Sequence, residues 1–145
     1  MPRYFPIEMK TEIKASASDM VTLYWRYGAL VADFIIPQDN FSHLRVRFDR
    51  ADIIRTLDEM PLSTEEHYST NEGLVRDHLA YRVEDSLFWK TQSESFKFTH
   101  RDVRHYRFIT GNTCLDVIAS VPPLITVVPA DIGPGRIHTE PPPVP

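Results

Sequence analysis

The sequence predicts a mainly β fold: a single-domain antiparallel sandwich or small barrel of about eight or nine strands, or an α+β variant with one short helix. Three observations predict it. Apolar and charged residues alternate with a period of two along most of the chain. Glycine-centred turn signals, at Gly28 and at Gly111-Asn112, separate such runs. Segments with a helical period are scarce.

The elements follow in order. Phe5, Ile7, Met9 and Ile13 alternate with Glu8, Lys10 and Glu12, which puts the two sets on opposite faces of a strand. Val21, Leu23, Trp25 and Tyr27 repeat the rhythm, Gly28 interrupts it, and Leu30–Ile36 forms the second arm of an expected hairpin. Leu44, Val46 and Phe48 alternate with His43, Arg45 and Arg47. Ala51–Met60 reads either as a short helix capped by Asp49 or as a strand, because Ile53 and Ile54 are β-branched. Ser63–Glu72 reads as a polar loop, with Ser63 and Glu66 at the spacing that can start one helical turn. Leu79, Tyr81, Val83, Leu87 and Trp89 share one parity of a further strand. Tyr106 and Phe108 alternate with His105 and Arg107, and beyond the Gly111-Asn112 turn come Leu115, Val117 and Ala119. Leu124–Val128 reads as a last edge strand, since proline on both sides suits an edge. Residues 1–132 are thus expected to form one β-rich domain. Residues 133–145, rich in proline, are expected to be an extended or disordered tail.

Composition narrows the class. The chain has 145 residues, 42% hydrophobic and 25% charged, close to globular averages. A chain of this length buries roughly 68–70% of its unfolded surface and needs no metal or disulfide staple. The net charge of −4 excludes a global basic field for nucleic acid. The lone Cys114 excludes an internal disulfide and a cysteine-rich zinc site. The opening residues MPRYFPIEMK lack a continuous apolar core, and the apolar stretch Ala29–Ile36 is too short to span a bilayer. A soluble protein in the cytoplasm, with no membrane partner, is the expectation.

Catalytic motifs are missing. There is no Gly-x-Ser-x-Gly elbow, and five glycines leave little for a phosphate-cradling loop. Cys114 sits on a strand with no helix N-terminus to activate it. His100 and His105 are five residues apart, so on a strand they point to opposite faces, and the reading is ordinary surface histidines with no metal and no cofactor. Lys97, Arg101, Arg104 and Arg107, interleaved with Phe96, Phe98 and Tyr106, make a local basic stretch. The plainer account is a half-exposed sheet, so nucleic-acid binding is not expected. The opposite pole is Asp58–Glu72, where Asp58, Glu59, Glu65, Glu66 and Glu72 meet no Lys or Arg. Such a segment suits a basic surface on a protein partner. Glu59, Glu65, Glu66 and Glu72 are the candidate contacts.

A second candidate site rests on Asp85, which breaks an apolar register. A carboxylate facing a core must be paired or shifted in pKa. A β-bulge at Asp85-Ser86 that turns it to water is the preferred account. Asp33 and Asp116 raise the same question. If Asp85 faces inward, then Trp25, Tyr81, Asp85, Trp89 and His105 are the lining expected of a small-molecule cavity, with acid–base chemistry within its reach. Unpaired edge strands leave room for homo-oligomerisation as well.

The segments RTLDE (Arg55–Glu59) and HYRFITGNTCLDVIA (His105–Ala119) resemble a pattern of small bacterial β-sheet proteins, some of which sit beside polymorphic toxins as immunity proteins. The features shared are His105-Tyr106, the turn at Gly111-Asn112, and Asp116-Val117-Ile118. The resemblance covers about a tenth to a fifth of the chain and carries over no catalytic residue. It implies a non-enzymatic, immunity-like module that binds a protein partner.

Overall fold

The computed structural model describes residues 1–65 and 71–130. Nine strands form two antiparallel sheets that pack as an open sandwich and do not close into a barrel. The strands are β1 (Arg3–Pro6), β2 (Met20–Arg26), β3 (Ala29–Ile36), β4 (Asp39–Phe48), β5 (Ile53–Asp58), β6 (Ala80–Glu84), β7 (Arg104–Phe108), β8 (Thr113–Ala119) and β9 (Leu124–Pro129). One sheet runs β1-β6-β7-β8-β5 and the other β2-β3-β4-β9. Three short helices, α1 (Glu59–Glu65), α2 (Leu87–Lys90) and α3 (Glu94–Thr99), belong to the five-stranded half of the chain.

The period-two pattern becomes the core. Leu30, Ala32 and Phe34 of β3 and Leu44, Val46 and Phe48 of β4 meet Tyr106, Phe108, Leu115 and Val117 of the opposite sheet. Rings interlock across the gap: Phe34 and Phe48 lie 5.9 and 6.2 Å from Phe108. Each such side chain, fully buried, contributes about 1.5–3 kcal/mol.

The β2–β3 hairpin closes at Tyr27 (φ 53) and Gly28 (φ 85). Positive φ at both central residues is the turn whose twist matches paired strands. Gly111 does not play that part. The β7–β8 pairing begins at Phe108–Leu115, well outside Gly111-Asn112. What demands glycine there is a close approach: a Cβ on Gly111 would sit 2.3 Å from the Ser16 carbonyl oxygen.

Several expectations are corrected. Of the first alternating run, Phe5–Ile13, only Phe5 and Pro6 are strand, at the end of β1. Ala51–Met60 takes the strand alternative as β5, and the helix begins later, at Glu59. Ser63 lies inside α1, where its hydroxyl donates to the Met60 carbonyl, so it caps nothing. Leu87 and Trp89 leave the strand parity and enter α2. Ser86 and Ser93, three residues ahead of Trp89 and Phe96, accept those residues' backbone N–H groups and start α2 and α3. The last strand pairs with β4 and lies at a sheet edge, as its flanking prolines suggest. The Pro-rich segment 133–145 falls outside the described residues. No helix among those described is long and apolar enough to cross a membrane.

The helices matter because of what they cover. Phe88 of α2 packs with Val103 and Ile118 on the face of the five-stranded sheet that points away from the sandwich core, and Trp89 and Phe96 join them. This outer face is therefore buried as well, and β8 is enclosed on both sides.

Candidate functional site

Antiparallel register puts Arg55 of β5 opposite Asp116 of β8, and Asp116 opposite Arg107 of β7. The three side chains share the helix-covered face, since residues directly opposed in a ladder point the same way. His105 is two residues from Arg107 and joins them. Four donor nitrogens meet on the Asp116 carboxylate. His105 Nε2 lies 2.6 Å from its Oδ1 and Arg107 Nε 2.7 Å from the same oxygen. Arg55 donates to Oδ2 through Nε at 3.0 Å and Nη2 at 2.6 Å. Arg107 also donates to the Tyr4 hydroxyl at 2.8 Å. The Arg55 guanidinium lies 4.3 Å over the Phe88 ring, which closes the cluster from above.

Burial and charge act against each other here, and the outcome differs by residue. Burial pushes the Asp116 carboxyl up, but the hydrogen bond from His105 and the charge of Arg107 outweigh it and hold the group well below the carboxylate range. Arg107 is likewise penalised by burial, yet Asp116 beside it raises its pKa further. For His105 burial wins: the imidazole is held below its ordinary value despite Asp116, so it is neutral at neutral pH. A neutral ring that donates Nε2–H to Asp116 must accept at Nδ1. The Ser86 hydroxyl, 2.8 Å away, supplies that hydrogen.

Ser86, His105 and Asp116 thus have the connectivity of an acyl-transfer triad. Their surroundings remove the chemistry. All three side chains are buried, and Ser86 Oγ also accepts the Trp89 N–H as the cap of α2. A nucleophile must meet a substrate carbon, and this oxygen faces protein on every side. The chain of bonds works as a clasp: it ties α2 through His105 to Asp116, and through Arg55 to the far edge of the sheet.

The same clasp reaches the acidic segment. Arg55 bonds Glu65 at the end of α1, with Nη1 2.9 Å from Oε1. Glu65 is therefore an anchor and not a free contact for a partner. Glu59, at the start of α1, lines an open groove of about 670 Å³ together with Leu74, Arg76, Asp77, His78 and Tyr81. Glu72 is exposed, and its carbonyl accepts the Tyr4 N–H at 2.7 Å, which fixes the chain beside β1. Glu66 lies outside the described residues.

The five residues of the expected cavity are dispersed. Trp25 stands on β2 in the other sheet and is 55% exposed. Asp85 faces water, as expected, though not through a bulge: it follows β6 in the left-handed region (φ 63), and its carboxylate pairs with the Met1 amino group at 2.7 Å and with Lys90 at 3.5 Å. Tyr81 bonds its own loop, donating to the Val75 carbonyl at 2.7 Å. Trp89 packs on Phe96. His105 sits in the clasp, buried, which corrects its reading as a surface histidine; His100 is the half-exposed end of α3. The basic stretch also dissolves, because Arg107 and Tyr106 leave the surface on opposite faces of β7. Among the described residues no group of three or more His, Cys, Asp or Glu is arranged to hold a metal ion.

The alternating pattern hid the clasp. His105, Arg107 and Asp116 stand on the parity that a two-layer sandwich leaves in solvent, and only the helical layer makes that face interior. The sequence did hold one signal for that layer, the serines Ser86 and Ser93 ahead of short apolar runs. Comparison with protein-family models, with curated proteins and with solved structures returns no match for the chain.

Proposed function

We propose that the chain is a non-catalytic interaction module that binds a protein partner with a basic surface through the acidic region around α1, as an immunity-like protein would. The observation that carries this reading is the Arg55 bridge between Asp116 and Glu65. It fastens α1 to the interior of the sheet, so the acids beside the groove stand on a rigid support, and a preformed surface spends less ordering entropy on binding. Glu59 and Glu72 are the contacts, with Glu66 between them in sequence; Glu65 holds the helix. Asp58, exposed at the end of β5, adds to the same negative field. The cavity and acid–base alternative draws no support from the geometry, because its five residues share no enclosed space.

The test compares wild type with Glu59→Gln/Glu66→Gln/Glu72→Gln, Glu65 being left intact. Partner is captured from native cell extract, and association is then followed at low and high salt. The triple variant should associate on the order of ten times more slowly at low salt, the difference shrinking as salt rises. Recovery of the same partner at the same rate by both proteins rejects the acidic region as the site.

A further inference from the structure

The four-stranded sheet has an outer face as well, and that face is more buried than the described elements account for. Strand parity puts Thr22 and Tyr24 of β2, Val31 and Asp33 of β3, and Arg45 and Arg47 of β4 on it, opposite to the core residues Leu30, Ala32, Leu44 and Val46. A sheet face open to water leaves such side chains exposed. Here Val31 is 5%, Asp33 2% and Arg45 6% exposed. Asp33 and Arg45 form a bidentate ion pair, with Nε 2.8 Å from Oδ1 and Nη2 2.9 Å from Oδ2. On β2 the usual order is inverted. Thr22 and Tyr24, facing outward, are half-buried, whereas Leu23 and Trp25, on the core side, are exposed. Something shields this outer face from water.

No strand or helix among the described residues does so. α1 packs on β5 and β8, and α2 and α3 lie over the five-stranded sheet. Ile7, Met9, Ile13 and Ala15, between β1 and β2, pack into the core between the sheets. Val31, though buried, belongs to none of the three clusters of buried apolar side chains among the described residues. The cover therefore comes from residues 66–70 or from residues beyond Ala130. The first are tied to the other sheet at both ends, by Glu65 to Arg55 of β5 and by Glu72 to Tyr4 of β1. The second start in the right place. β9 is the neighbour of β4, and the Ala130 N–H donates to the Phe41 carbonyl at 2.8 Å, so the chain leaves the sheet beside the strand that carries Arg45.

We propose that the proline-rich segment 131–145 lies across the outer face of the four-stranded sheet and covers the Asp33–Arg45 pair as a strap. Its length suffices. An extended proline-rich chain advances about 3.1 Å per residue, hence about 45 Å for this segment, against about 15 Å across four strands. Its charge fits: the segment carries Asp131 and Glu140 against Arg136, and the face carries Arg26, Arg45 and Arg47 against Asp33. Its composition fits as well. Pro141, Pro142 and Pro143 favour an extended conformation that loses little entropy on docking, and such segments lie against aromatic rings of the kind Tyr24 offers. Water is then kept from an ion pair that neighbouring strands already hold in bidentate geometry, the arrangement in which burial is best tolerated. The strap does for Asp33 and Arg45 what α2 and α3 do for Asp116 and Arg107 on the opposite sheet. This placement does not involve α1 or the groove and stands or falls apart from the partner-binding reading.

Paramagnetic broadening of amide signals in the full chain tests it. A nitroxide is attached at Ile137→Cys in a Cys114→Ala background, and spectra are compared before and after its chemical reduction. Val31, Asp33 and Arg45 should lose most of their intensity and regain it on reduction. Phe88 and Trp89, in the layer over the other sheet, should keep theirs throughout. The loss should be the same at every protein concentration. If Cys114→Ala does not fold, Cys114 is kept, since its buried thiol escapes the label. Broadening that is absent, or spread evenly over both sheets, overturns the proposal. So does a loss at Val31, Asp33 and Arg45 that fades on dilution, which would assign the cover to a second copy of the chain.

Discussion

Replacing Asp116 by Asn keeps the shape of the side chain and removes its charge. The consequence follows from the four donors around the carboxylate. The amide nitrogen of an Asn would face either the two Arg55 nitrogens on one side or His105 and Arg107 on the other, donor against donor. Arg107 is fully buried and would keep its charge while losing its ion pair with the Asp116 carboxylate. Breaking a buried pair from one side costs about 3–5 kcal/mol. Arg55 adds little, because its side chain is more than a quarter exposed and retains Glu65. A loss of about 4 kcal/mol is a large share of the 5–15 kcal/mol that holds a domain of this size. It lowers Tm by about 10–15 °C at the usual slope of 2–4 °C per kcal/mol. Urea unfolding, followed by tryptophan emission and by circular dichroism together, measures it; the midpoint should fall while m stays constant. Arg107→Met is the internal control. It leaves Asp116 bonded to both His105 and Arg55, so it should cost less than Asp116→Asn. A loss below about 1 kcal/mol for Asp116→Asn, or a larger loss for Arg107→Met, refutes the account of the clasp.

Other outcomes follow from the same structure. Burial holds the His105 imidazole below its ordinary value, so the unfolded chain takes up that proton first. Its share of stability is complete above about pH 6.5 and is lost as the pH falls, by up to about 1.4 kcal/mol per unit. Asp116, also depressed, adds a second loss in the same direction below about pH 4. Tm measured between pH 8 and 4 should therefore fall more steeply below 6.5 for wild type than for His105→Gln, and parallel curves would show that another group titrates. Cys114 is buried and its thiol is pushed up chiefly by that burial. It should resist an aromatic disulfide reagent in native buffer and react at once in urea; immediate labelling of the folded protein contradicts its placement. Gly111→Ala forces a Cβ to within 2.3 Å of the Ser16 oxygen and should cost about 2–3 kcal/mol. Gly28→Ala meets nothing closer than 3.6 Å and should cost only the roughly 1 kcal/mol of its positive φ. The reverse order in thermal melts would show that the close approach at Gly111 is not what constrains it.

The sandwich was legible because a strand's side-chain period is a local property. Leu30, Phe34, Leu44, Val46, Phe48, Phe108, Leu115 and Val117 face the core on the parity their own neighbours define, and no distant residue is needed to place them. The same local rule placed β2 as one arm of a hairpin but could not show that Leu23 and Trp25 stand where the opposite sheet fails to cover them. It also left the acidic segment half understood, since the sequence shows Glu65 among like charges and cannot show Arg55 reaching it from β5.

Period and turn chemistry are encoded residue by residue, and they alone determined that this chain forms antiparallel strands around one interior. Which polar side chains that interior would take in was decided only when α2 and α3 came to rest on the outer face of the sheet. Burial is a property of what lies above a residue. No rhythm in His105, Arg107 or Asp116 themselves records the approach of Phe88 from elsewhere in the chain.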